Sequence, residues 1–99
     1  MSVNGARGEV ALSVDGHQRK LCLTLGALAE IETTLGCAEL KELDLRMRAL
    51  SAKDLIVVLA ALLRGGGEDQ IAAEIAGLGV SPGEAAKAVA RAFSLGLGN

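Results

Sequence analysis

From Gly8 to Val14 the chain alternates, with Val10, Leu12 and Val14 on one face and Ala11 and Ser13 on the other. That period of two predicts a β-strand with one oily face. Asp15-Gly16 follows, a hairpin turn signal, because both residues tolerate positive φ. After His17-Gln18-Arg19, the segment Lys20–Thr24 alternates again and points Leu21 and Leu23 inward. Two strands alone are marginal, so helices must cover the apolar face of this hairpin.

At Thr24 the period changes. Thr24 is placed to cap a helix, its hydroxyl accepting an amide N–H of the first turn. Leu25, Leu28, Ile31 and Leu35 then fall at spacings of 3, 3 and 4, along one side of a helix over residues 25–35. Gly36 suits the left-handed residue that ends it. Leu40, Leu43, Met47 and Leu50 repeat at 3, 4 and 3, opposite Lys41, Glu42, Asp44 and Arg48, and predict a second, amphipathic helix.

Ser51 and Asp54 form a capping-box-like start to a third helix. Its run LIVVLAALL is apolar all round, which marks it as the buried centre. The β-branched Ile56-Val57-Val58 also fits a strand, but the cap and the length favour a helix. Arg64 and Gly65 close it, and Gly65–Gly67 reads as a helix stop and flexible corner. Ile71, Ile75 and Leu78 share one side of a short helix stopped by Gly77 and Gly79. Ser81 as N-cap, Pro82 at the first helical position and Glu84 two residues on give a strong last start signal. Ala85, Ala86, Val89 and Phe93 are expected inward there, Lys87 and Arg91 outward, and SLGLGN has little reason to stay helical. The pattern as a whole predicts an α+β, mostly α, single domain over residues 1–99. It has a frayed start at 1–7, a β-hairpin over 8–24, four to five short helices packed over 25–95, and a tail at 96–99. No internal repeat is visible.

Composition narrows the function. Half of the 99 residues are apolar (51%), yet the only aromatic is Phe93. Leu, Ile, Val and Ala must fill the core, and aromatic stacking on bases, sugars or flavins is largely excluded. The net charge of −2 comes with no Lys/Arg stripe free of acidic neighbours, which argues against nucleic-acid binding. The N-terminus lacks the apolar region of a signal peptide. The longest apolar run, Leu55–Leu63, is nine residues, whereas spanning a bilayer takes about 20. A soluble, cytoplasmic protein is expected. Cys22 and Cys37 stand fifteen positions apart without a CxxC arrangement, and with one histidine in the chain they read as reduced thiols rather than zinc ligands.

The reactive residues do not assemble. His17, the only histidine, lies in the predicted turn beside Asp15, without the buried, orienting partner a general base wants. Glu30 and Glu32, two apart on a helix, point about 200° from one another. Glu68-Asp69 and Glu39/Glu42 read as negative charge at helix starts. RGGGED at 64–69 lacks the Lys-Ser/Thr of a Walker phosphate loop and follows a helix rather than a strand. Ser51 and Ser81 are better employed as caps than as nucleophiles. No catalytic, cofactor or metal site is therefore expected, and the chain reads as a protein whose business is contact with other proteins rather than an enzyme.

The ordered set RGEVALSVDG, LCLTLGALAEIETTLG and DLIVVLAALLRGGGE resembles the small tail-gene protein family of gene transfer agents, which are phage-like particles. Arg7–Val10 matches the family's Arg-Gly-Glu-Val opening, Thr24–Gly36 its helix corner, and Asp54–Glu68 its apolar helix and Gly-rich turn. The resemblance covers residues 5 to 68 well, and the Ala-rich last helix matches in character. Members are described either as tail tube proteins or with the tail assembly chaperones, which keep the tape-measure protein soluble and help tube subunits polymerise around it. A ring-forming tube subunit needs a broad sheet, and two predicted strands are too few, so the chaperone reading is preferred.

The resemblance implies tape-measure and tail tube proteins as partners, a possible homo-oligomer, no cofactor, and localisation in the cytoplasm or on the particle. A helical, apolar partner would need an apolar groove. Met47, Leu50, Phe93, Leu95 and Leu97 are the candidates, with ordinary core as the bland reading of Met47, Leu50 and Phe93. The hairpin edge is a second candidate through strand addition, with Arg7 and Glu9 at its start, which otherwise read as a solvated charge pair. Three classes stay open: assembly chaperone, structural tail component, and small DNA-binding regulator. A gel shift that weakens steeply with salt would mark the last. From the pattern alone, Leu28→Asp is expected to unfold the protein in a circular-dichroism melt while Glu32→Gln leaves the melt unchanged; a folded Leu28→Asp protein would put the core on another face.

Overall fold

A computed structural model describes residues 8–98; the expected fraying of residues 1–7 lies outside them. Strands β1 (Glu9–Val14) and β2 (His17–Cys22) pair antiparallel, from Glu9 opposite Cys22 to Val14 opposite His17. Asp15 (φ 51°) and Gly16 (φ 80°) make the whole turn between them. Two successive left-handed residues match the twist of the flanking strands. His17 is therefore the first residue of β2, and not part of a longer turn as the sequence suggested. Val10, Leu12, Val14 and Leu21 are buried, so the alternation was read on the right face.

The helices are α1 (Leu25–Leu35), α2 (Leu40–Met47), α3 (Ala52–Gly65), α4 (Asp69–Glu74) and α5 (Pro82–Gly96), with a 3-10 turn at Ile75–Gly77. Their starts follow local chemistry. Thr24 Oγ1 accepts from Ala27 N at 3.1 Å, and Gly36 (φ 72°) ends α1 left-handed. Ser51 and Asp54 cap each other's backbone at the head of α3, and Ser81 Oγ accepts from Glu84 N at the head of α5.

Three details differ from the sequence reading. Leu25 is 87% exposed, because it lies six residues before the fully buried Ile31, which at about 100° per residue turns it some 120° away. The inward line of α1 is instead Ala27, Ile31 and Leu35, with Leu28 half-buried beside it. On α5 the buried set is Ala85, Ala88, Val89, Ala92 and Phe93, and Ala86 faces out. That helix also continues through Ser94-Leu95-Gly96, into the segment expected to be a tail, because its last turn is carried on the hairpin: a Cβ on Gly96 would strike the side chain of Leu23.

Helix α3 is the centre. It packs on α1, β2, α4 and α5, and Val58, Leu59, Ala61, Leu62 and Leu63 are buried. Its end closes the outer edge of β2. A Cβ on Gly65 would strike the carbonyl oxygen of Cys22, and one on Gly66 that of Lys20. Glu68 Oε2 accepts the outward amide of Lys20 at 3.0 Å, and Glu68 Oε1 lies 3.8 Å from Arg19 Nη1. The glycine run read as a helix stop is thus also a contact surface. A second tie joins Asp15 to Gly79, with Asp15 N donating to Gly79 O at 2.9 Å and Gly79 N to Asp15 Oδ1 at 2.7 Å. Arg64 pairs with Glu30 across α3 and α1.

Helix α2 is held more lightly: Leu43 is its one buried residue. Arg46 anchors it, donating from Nη1 to Leu35 O at 3.3 Å and from Nη2 to Asp54 Oδ2 at 3.2 Å. Partial burial works against the charge on Asp54, but the Arg46 guanidinium and the Ser51 amide outweigh it and hold the carboxyl below the usual carboxylate range.

Two predictions follow from these contacts. Helix propensity favours Ala over Gly by about 1 kcal/mol, yet Gly65→Ala and Gly66→Ala are expected to destabilise by about 1–3 kcal/mol in urea melts, since backbone oxygens occupy the space a Cβ needs. Because the folded-state pKa of Asp54 is depressed, its contribution is present above the unfolded value near 4 and lost as pH falls through the lower folded value. Stability measured against pH should therefore lose part of its acid dependence in Asp54→Asn.

Candidate functional site

The C-terminal half of α5 and the exposed flank of α2 face one another across a groove of about 230 Å³. Leu40, Leu43 and Met47 line one wall, and Ala90, Phe93 and Leu97 the other, with Asp44 and Ser94 at the rim. The geometry comes from spacing: Ala90, Phe93 and Leu97 fall at 3 and 4 along one side of a helix, as do Leu40, Leu43 and Met47. Leu43 and Phe93 are buried and form the floor, whereas Leu40 (52% exposed) and Leu97 (45%) stand up at the sides. Leu45, 62% exposed, points from α2 into solvent beyond the groove. A floor of core side chains between raised leucines is a shape that accepts apolar side chains from another protein.

The structure therefore gathers Met47, Phe93 and Leu97 and separates the other sequence candidates from them. Leu50 falls after the end of α2 and is half-buried against the core. Leu95, two residues from both Phe93 and Leu97, points to the opposite flank of α5. There it lines a larger groove of about 810 Å³, running between α5 and β1, which also contains Glu9. Arg7 lies outside the described residues.

A third surface was not singled out from the sequence. Leu55, Ile56, Leu78, Val80 and Pro82 line a shallow apolar depression of about 190 Å³ where the starts of α3 and α5 meet the 3-10 turn. Reading LIVVLAALL as buried on all sides hid it: Ile56 is 38% exposed. The exposed apolar position within the run carries no signal in its own letters.

Several polar residues have structural partners. Glu30 holds Arg64, Glu68 holds the β2 edge, Glu42 Oε2 accepts from Ala38 N at 3.1 Å, and Ser51 and Ser81 are caps. Cys22 and Cys37 are free thiols. Among the described residues no three His, Cys, Asp or Glu side chains gather as a metal ion would require, and no helix is long and apolar enough to cross a membrane.

Residues 7–99 match the family model described as "Phage tail tube protein, GTA-gp10". No curated protein and no solved structure matches the chain.

Proposed function

This chain belongs to the GTA-gp10 family of phage tail tube proteins, a family of gene transfer agent tail proteins and not of enzymes, and we propose that it acts as a structural, tube-associated component of the tail. The observation that carries this reading is the family match over nearly the whole chain. It reverses the order preferred from the strand count alone, in which the assembly chaperone came first. The surface chemistry supports a contact role: exposed leucines on α2 and α5 flank a groove with a core floor, and Glu30, Arg46, Asp54, Arg64 and Glu68 are engaged in caps and ion pairs.

We infer that the α2–α5 groove takes an apolar helix or loop of a neighbouring tail protein. Such a partner would bury side chains at helical spacing between Leu40 and Leu97, over Met47 and Phe93. The light attachment of α2 suits this, because a helix with one buried residue can shift to admit side chains at little cost to the core.

One observation favours a second reading. The sheet has two strands, and β2's outer edge is closed by α3 and Glu68. A subunit that built a tube wall by continuous sheet would need free edges on both sides. A tail assembly chaperone holding a tape-measure segment in the same groove meets the geometry without that requirement. The two readings part on stoichiometry: quantitative mass spectrometry of purified particles should find this chain in fixed ratio to the other tail proteins if it is structural, and absent if it is a chaperone.

Both readings require the groove. Leu40→Asp and Leu97→Asp are expected to leave the thermal melt within about 2 °C of the parent, both side chains being about half exposed, and to weaken co-purification with tail proteins at least about tenfold. Unchanged capture by both variants would move the contact to another surface.

A further inference from the structure

The hairpin has two edges, and the fold closes one of them. In this register the amide of Lys20 leaves the sheet outward, to Glu68, so Ala11 opposite it also turns its backbone groups outward, on the other edge. By the same alternation Ser13 does so too. No described residue takes the outward amide of Ala11 or Ser13. Beside them runs the groove of about 810 Å³, whose far wall is a helical stripe of α5: Glu84, Lys87, Ala88, Arg91 and Leu95. A strand laid along β1 would border this groove and bring its own covering layer towards the Ala88 and Leu95 flank of α5.

We propose that the strand is β1 of a second copy, paired antiparallel about a two-fold axis through Ala11. Three features of the edge select a second copy. First, among the described residues only the β1 edge has no element of the fold across it, so pairing gives the order β2-β1-β1-β2 and stops at two, both outer edges being covered by the α3–α4 corner. Second, the edge is complementary to itself. In this register Ala11 faces Ala11 of the second copy and Glu9 faces Ser13, so no like charges are opposed. Val10 lies beside Leu12 of the second copy on the helix-covered face and continues the apolar layer. Third, the described residues that line the groove carry no net charge. Glu9 and Glu84 balance Lys87 and Arg91, with Lys87 Nζ 3.9 Å from Glu84 Oε1, so it selects neither a strongly acidic nor a strongly basic partner. The pairing is independent of whether the protein ends in the finished tail or only helps to build it.

The test uses the full chain and the self-opposed position. Ala11 is exposed on an edge, so Ala11→Asp and Ala11→Lys should both fold, as circular dichroism will verify. Each alone places like charges opposite one another across the axis and should weaken dimerisation, measured by sedimentation equilibrium, about tenfold. An equimolar mixture of the two should recover parental association. In the unsubstituted protein, amide exchange at Ala11 and Ser13 should slow as concentration rises. A parent that stays monomeric at every concentration, as a strand from a different tail protein would require, overturns the proposal. So does a dimer whose strength neither variant changes, or exchange at Ala11 and Ser13 that is independent of concentration.

Discussion

The structure depends on one close approach, that of the end of α3 to the outer edge of β2. A two-stranded sheet cannot hold itself in water, and its backbone edge cannot be buried without partners. Gly65 and Gly66 let the helix backbone come against the carbonyls of Cys22 and Lys20, and Glu68 supplies the acceptor for the Lys20 amide. With this seam in place, Leu21 is fully buried between the hairpin and α3, and α3 becomes the element against which α1, α4 and α5 pack. The Asp15–Gly79 tie at the other end of the hairpin then sets where α5 begins.

A core with Phe93 as its only aromatic is built by bringing helices close rather than by filling space with large side chains. Ala27, Ala61, Ala72, Ala85, Ala88 and Ala92 are all buried. Alanine permits close helix packing and has high helix propensity, but each one buries little apolar area. Apart from Leu25 on α1, the leucines left outside are Leu40, Leu45, Leu95 and Leu97, and they lie on the lightly held α2 and the end of α5. In a family of tail proteins, such surfaces are where neighbours can add the burial that the isolated chain does not supply.

The candidate site was legible in part. Met47, Phe93 and Leu97 were singled out from the sequence, and they meet in one groove. Leu50 and Leu95 were singled out on the same grounds of uncommitted apolarity and do not join them. For Leu95 the separation was readable, since positions two apart on a helix diverge by about 200°, whereas Phe93 and Leu97, four apart, coincide. That Leu40 stands opposite Leu97 was not readable, because nothing local specifies how α2 crosses α5. The depression around Ile56 was hidden for the opposite reason: a run that is apolar on all sides gives no clue to which side the fold leaves uncovered.

What the sequence determined by itself are features whose causes lie within a few residues. They include the left-handed Asp15-Gly16 turn, the caps at Thr24, Ser51 and Ser81, the left-handed stop at Gly36, the alternation of β1 and the central place of α3. Each rests on a hydrogen bond or steric preference spanning four residues or fewer, or on a period that a short window shows. The tertiary structure alone decided the contacts that join distant segments. Lys20 meets Glu68 across 48 positions and Asp15 meets Gly79 across 64, and with them came the real use of Gly65 and Gly66, the outward turn of Leu25 and the extra helical turn at Ser94–Gly96. A glycine's letter states that no Cβ is present, but the strand carbonyl that needs the vacancy is brought there by the packing of the whole chain.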